Sequence, residues 1–204
     1  MTKKISIVDY KNCNIGSVKN MFKYLDIACE ICDTPEKLEN SEKILLPGVG
    51  SFDEAMINIE KLGFKEVLNK KALKDRIPIL GICLGMQILT KNSEEGKLNG
   101  LGWINGATKK FKTDNKLSIP HMGWNTVSIK KKSQITKGFD DSFRFYFVHS
   151  YYVELANEAD CILKTNYGED FNSLINFKNI YGAQFHPEKS HKFGMVLLKN
   201  FAQI

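Results

Sequence analysis

Two short stretches of this 204-residue chain hold residues that could do covalent chemistry together. The first is Gly81-Ile82-Cys83-Leu84-Gly85, a cysteine with a glycine two positions away on each side. It follows the apolar run Ile77-Pro78-Ile79-Leu80 and precedes a helical pattern, so it reads as a nucleophile elbow with cysteine in the place of serine. Such a strand-to-helix turn strains the backbone at the nucleophile, and flanking glycines keep side chains from colliding across it. The thiol then stands at a helix N-terminus, whose partial positive charge favours the thiolate. A structural cysteine in a glycine turn would have the same local sequence, so the elbow does not decide alone.

The second stretch is Phe185-His186-Pro187-Glu188, at the end of the strand-like run Tyr181-Gly182-Ala183-Gln184. A thiolate that expels an amine needs a proton donor for the leaving group. His186 can supply that proton, while Glu188 can accept the other ring N–H and fix the tautomer. Pro187 stiffens the link between them. His121 and His149 have no carboxylate two residues on, and they read as structural or interfacial.

These residues need elements to hold them, and the first half of the chain supplies an alternation. Apolar runs at 4–10, 27–32, 43–46 and 77–80 read as strands. Between them, Ile15, Val18, Met21, Phe22 and Leu25 recur at helical spacing, a short helical piece fits 35–38, and helices fit 52–61, 65–73 and 84–91. Strand–helix alternation predicts an α/β fold, a largely parallel open sheet with helices on both faces. The second half is β-rich. Segments 126–130, 144–149, 151–155, 161–166, 171–177 and 180–185 read as antiparallel strands added to that sheet or extending it, before a closing helix over 192–202.

Composition excludes several function classes. Hydrophobic and charged contents of 43% and 25% are those of a globular protein, and the length suits a single domain over 1–204. The apolar start breaks at Asp9, too early for a signal peptide, and no run approaches the ~20 apolar residues of a membrane span, so a cytoplasmic protein is expected. Five cysteines without a secretion signal point to reduced thiols. Cys29-x-x-Cys32 lies in a strand-like segment with no second pair, which argues against metal or redox use. The net charge of +6 comes from scattered lysines, with arginine only at 76 and 144, and the run Lys130-Lys131-Lys132 reads as a solvated turn rather than a nucleic-acid site.

Gly81-Ile82-Cys83-Leu84-Gly85-Met86-Gln87 together with Phe185-His186-Pro187-Glu188 resembles the signature of class I, triad-type glutamine amidotransferases. Two further segments, Pro47-Gly48-Val49-Gly50 and Pro120-His121-Met122-Gly123-Trp124-Asn125, resemble the glutaminase subunits of imidazole glycerol phosphate synthase. Glu188-Lys189-Ser190 and Phe147-Val148-His149-Ser150-Tyr151 fit the same family. The resemblance implies the three-layer class I glutaminase fold and hydrolysis of L-glutamine through a thioester on Cys83, with no metal and no cofactor. It implies oxyanion donors at Leu84 and in the Gly48–Val49 loop, where glycine lets a peptide reorient inward. Gln87, Glu95, Ser150 and Tyr151 match positions that hold glutamine. Met122, Trp124, Asn125 and Lys189 match a rim facing a (β/α)₈-barrel cyclase that consumes the ammonia for histidine biosynthesis.

One segment departs from the family. Where its members have D-Y-G-x-G-N after the first strand, this chain has Asp9-Tyr10-Lys11-Asn12-Cys13-Asn14. The loss of both glycines alters a loop near the elbow and leaves a second reading open, a paralogue that supplies ammonia to an enzyme amidating cell-surface sugars. An inactive scaffold on the same fold would be expected to lack Cys83 or His186, and both are present.

Overall fold

The computed structural model describes residues 4–112 and 117–204. The run Ile5–Val8 (β1) is buried at every position. A strand covered on both faces shows no polar alternation, which is why it reads as a plain apolar run. β1 lies parallel between Cys29–Cys32 (β2) and Ile44–Gly48 (β3), and β3 lies parallel beside Ile79–Cys83 (β4).

Alternate side chains of these strands feed two cores. Ile5, Ile7, Leu45 and Leu80 pack in one cluster with Val18 and Phe22 of α1 (Ile15–Tyr24) and with Leu197 and Phe201 of α5 (His191–Gln203). Val8, Ile44, Leu46 and Ile79 pack on the other side with Phe52 and Ile59 of α2 (Phe52–Lys61) and Phe64 and Leu68 of α3 (Phe64–Asn69). The result is the expected three layers. Phe22 is fully buried, and truncating a ring of this kind costs about 3–5 kcal/mol. Cys29 and Cys32, three apart on β2, point to opposite faces, and all five cysteines are free.

The helix after the elbow is shorter than its sequence pattern predicts. α4 spans only Leu84–Gln87, not 84–91. The carbonyls of Ile88, Leu89, Thr90 and Lys91 instead accept from the N–H groups of Leu101, Ile104, Gly102 and Gly100. The N–H groups of Leu89 and Thr90 reach back only three residues, to Met86 and Gln87, and that of Lys91 goes to the Gly106 carbonyl, so the last turn tightens and the helix ends. α3 likewise gives way to a wider turn at Lys70–Lys74.

The second half joins the same sheet. Cys161–Tyr167 (β10) and Glu169–Phe177 (β11) form a hairpin around Gly168, whose φ of 77° suits glycine. Ile180–Ala183 (β12) pairs antiparallel with β11 and parallel with β4. Tyr151–Leu155 (β9) and Gly106–Lys110 (β5) branch from β11, completing ten strands among the described residues. The segment 126–130, expected as one strand, is divided. Thr126 ends His121–Thr126 (β6), and only Ser128–Ile129 (β7) joins β10. β6 pairs with Arg144–His149 (β8) in a separate two-stranded ribbon. No helix among the described residues is long and apolar enough to cross a membrane.

Candidate active site

The pairing of β12 with β4 sets Gly182 beside Gly81 and Ala183 beside Ile82. The chain leaving β12 therefore runs out next to Cys83, and three residues after β12 it presents His186. Cys83 closes β4 at φ 55° and ψ −111°, and such positions cost about 1–3 kcal/mol for a residue with a side chain. Packing holds it there. A Cβ on Gly85 would overlap the Leu46 carbonyl, and one on Gly81 would overlap Gly85 itself. The glycines of the elbow are thus required by contact, as the spacing suggested. The Cys83 sulfur lies 3.9 Å from the Val148 carbonyl and 3.8 Å from Gln184 Nε2.

His186 and Glu188 have side chains only 2% and 4% exposed, and His186 Nδ1 sits 2.7 Å from Glu188 Oε1. The carboxylate accepts, so Nδ1 carries the proton in that bond. Nε2 is buried with no hydrogen-bond partner among the described residues. Burial alone would lower this imidazole's pKa. The Cys83 sulfur and then the Glu188 carboxylate outweigh it and lift the pKa to about 10. An imidazole so placed holds its proton at neutral pH.

Cys83 and His186 line one cavity of about 420 Å³ with Val49, Gly50, Leu84, Gln87, Glu95, Pro120, Val148, His149, Ser150 and Tyr151. That is the size of a small-molecule site. Gln87 Nε2 donates to the Tyr151 carbonyl at 3.0 Å and to Gln184 Oε1 at 3.1 Å, which leaves only its acceptor oxygen for a ligand. Glu95 accepts from the Phe52 N–H at the start of α2, and burial raises its pKa. Gly48 sits opposite Cys83 in the β3–β4 register. The next N–H, that of Val49, is donated to the Asn12 carbonyl at 2.8 Å instead of facing the cavity.

The profile of the class-I glutamine amidotransferases matches residues 6–204. The chain is 50% identical over 197 residues to imidazole glycerol phosphate synthase subunit HisH 2 of Methanococcus maripaludis, covering 97% of this chain and 98% of that protein. It is 46% identical to the HisH subunit of Leptospira borgpetersenii, covering 98% and 100%. The chain belongs to the class-I glutamine amidotransferases, in their HisH family. A solved glutamine amidotransferase superposes with a TM-score of 0.77 at 16% identity, over 98% of this chain and 99% of that one, which shows the shared fold.

In this amidotransferase the residues expected at the rim stand apart from the cavity wall. Met122 and Trp124 are 61% and 44% exposed, and Lys189 is exposed. The Trp124 ring stacks on His191, within 6° of parallel, with the Arg144 guanidinium also over it. Asn125 faces the other side of β6, where its amide nitrogen donates to the Asn166 carbonyl at 2.9 Å and contacts His121 Nε2 at 3.2 Å.

Three features escaped sequence reasoning. Gln184 touches the sulfur and orders Gln87, and the available signal was its place two residues before His186 on an extended segment. His149 lines the cavity, although it reads as structural in the sequence. Asn12, in the segment that departs from the family, holds the Val49 N–H and is itself held through its side-chain oxygen by Asn58 Nδ2 of α2.

Proposed function

We propose that this chain hydrolyses L-glutamine to glutamate and ammonia with Cys83 as nucleophile, His186 as proton carrier and Glu188 as its orienting partner. One observation carries this reading. β4 ends in Cys83, and the chain leaving its hydrogen-bonded neighbour β12 brings His186, paired with Glu188, to the same cavity. The sulfur attacks the side-chain carbonyl carbon of glutamine, the C–N bond breaks, and ammonia leaves with a proton from His186 Nε2. Water, deprotonated by the same nitrogen, then cleaves the thioester to glutamate and restores the thiolate. The Leu84 N–H is one oxyanion donor, and the Gly48–Val49 peptide provides the other. Gln87, Glu95, Ser150 and Tyr151 hold the substrate. No metal or cofactor enters this chemistry.

The chain acts as a single domain over 1–204, in the cytoplasm, as half of a heterodimer with a (β/α)₈-barrel cyclase that takes the ammonia in the lyase reaction of histidine biosynthesis. Its likeness to HisH subunits supports that partner. So does the Val49 N–H, which is turned toward Asn12 and away from the cavity. One missing oxyanion donor costs on the order of 10²–10³ in rate, enough for an idle state before docking. Met122, Trp124 and Lys189 form the docking rim, with Asn125 behind them on the other face of β6. The altered loop at Lys11–Cys13 favours a second reading, in which the barrel belongs to an enzyme amidating surface sugars.

The test is glutamate release from the purified chain, alone and with the histidine-pathway barrel from the same organism. The expected outcome is a slow free rate and a rate at least about 10²-fold higher with the barrel. Cys83→Ala should lose about 10³-fold or more while ammonium salts still drive the cyclase. Full hydrolysis by Cys83→Ala would refute the catalytic assignment, and a barrel without effect would favour the second reading.

A further inference from the structure

Two histidines that the proposed chemistry does not use lie between the rim and the cavity. His121 opens β6, His149 closes β8, and the two face each other across the ribbon. They are 3% and 5% exposed. Burial lowers the pKa of His121 to about 4. It lowers that of His149 to about 3, against the Tyr151 carbonyl and with help from His121 and His186. Both rings are therefore neutral at pH 7.

Their hydrogen bonds admit one assignment. The Tyr151 carbonyl only accepts, so the His149 proton sits on Nδ1, 2.8 Å away. His149 Nε2 is then an acceptor, and His121 Nδ1 donates to it across 3.0 Å. That leaves His121 Nε2 as the acceptor of the Asn125 amide at 3.2 Å. The Asn125 orientation is set independently, because its Oδ1 accepts from the Thr126 N–H at 2.8 Å and its nitrogen also serves the Asn166 carbonyl. At the inner end, the Tyr151 carbonyl receives Gln87 Nε2 as well as His149.

The geometry points to His121 and His149 as positioning residues for the glutamine subsite, a one-way hydrogen-bond chain from Asn125 that fixes the Tyr151 carbonyl and, through it, the oxygen Gln87 turns to the substrate. This rests on the glutaminase reading above. Each member donates in one direction only, so a rotated Asn125 cannot be absorbed by moving a proton along the chain. Asn125 follows the exposed Trp124 in β6, with its side chain on the opposite face. A shift of the β6 backbone at Trp124 thereby reaches substrate binding without displacing Cys83 or His186.

Packing offers a competing role, since the His121 ring also stacks on Tyr167 at 4.0 Å and on Phe147 at 4.8 Å. Three substitutions separate the two. His121→Phe keeps a stacked ring and donates nothing. His121→Asn loses the ring but puts an amide near the Nδ1 position, in reach of His149. His121→Gln also loses the ring and puts its amide near the Nε2 position, in reach of Asn125 alone. Glutaminase kinetics with the barrel present should show KM for glutamine raised up to about tenfold in His121→Phe and His121→Gln, with kcat within about threefold, and KM largely rescued in His121→Asn. Near-normal KM in His121→Phe with both amide variants impaired would overturn the proposal, and so would equal changes in all three. If the amide variants do not fold, an unchanged KM in His121→Phe overturns it alone, and a raised one upholds it. A wild-type chain with no glutaminase activity would instead refute the reading beneath it.

Discussion

β3 and β4 run side by side and end at the same level, with Gly48 opposite Cys83 and packed against the elbow, yet the turns that follow are built in contrasting ways. The elbow after β4 is held by contact. Cys83 is 7% exposed, and neither Gly81 nor Gly85 has room for a methyl group. The loop after β3 is held by hydrogen bonds. Val49 is 39% exposed, Gly50 stands at φ 94°, and the Asn12 carbonyl retains the Val49 N–H. A close-packed turn has no second arrangement nearby, whereas a hydrogen bond worth about 1 kcal/mol net can be exchanged for another when a partner docks. Under the proposed function, the comparison separates what would make the chemistry possible from what would set its rate.

The largest effect should come from the packed side. His186→Ala is expected to lower glutamine turnover by about 10³-fold or more, and Glu188→Gln by about 10²-fold, because the carboxylate orients the ring without exchanging the proton. Both losses should be the same with and without the barrel. A loss confined to the docked state would place His186 on the adjustable side and break the distinction.

Next in size is the elbow itself. Gly85→Ala should destabilise the fold by about 3 kcal/mol, read from the denaturant midpoint, since the new methyl meets the Leu46 carbonyl. An unchanged midpoint would mean that the elbow yields as readily as the loop.

Acid addresses the ribbon that covers the other side of the cavity. His121 and His149 bind protons less readily when folded, at about 4 and about 3, than at the usual 6.5 of an unfolded chain. Unfolding therefore takes up protons, and their contribution is complete above pH 6.5 and lost as pH falls toward those lower values. By pH 5 each should have removed about 2 kcal/mol of stability. His121→Phe should flatten the fall of melting temperature with acid, and an identical slope would exclude His121 as a source.

The smallest effect belongs to the loop. Asn58→Ala frees the Asn12 side chain and should raise the partner-free rate a few-fold, with the docked rate unchanged. The ratio of docked to free activity then shrinks, the reverse of His186→Ala, where it stays constant. A drop in both rates would show that Asn58 supports the fold rather than the idle position of the loop.

How far the sequence could be read follows the range of the interactions. The elbow was legible because its glycines, its cysteine and its preceding buried strand are contiguous, and steric rules act over a few residues. His186 and Glu188 were legible for the same reason, with one intervening proline. The three inner parallel strands β1, β3 and β4 showed themselves as apolar runs because both faces are buried. The polar, half-exposed β5 and β6 gave no such run, and α4 stopped early because residues 100–106 claimed backbone groups of 88–91 from a distance.

What the sequence determined by itself was the set of reactive groups and the local turns that carry them. Tertiary structure decided which of those groups meet. Pairing of β12 with β4 brought His186 to Cys83, the ribbon joined His121 to His149 across 28 positions, and Asn58 reached Asn12 across 46. Such contacts depend on register and on which buried polar atom finds which partner. Those choices are made by the packed chain as a whole, since an unpaired group costs about 1–3 kcal/mol only once neighbouring elements have excluded water from it.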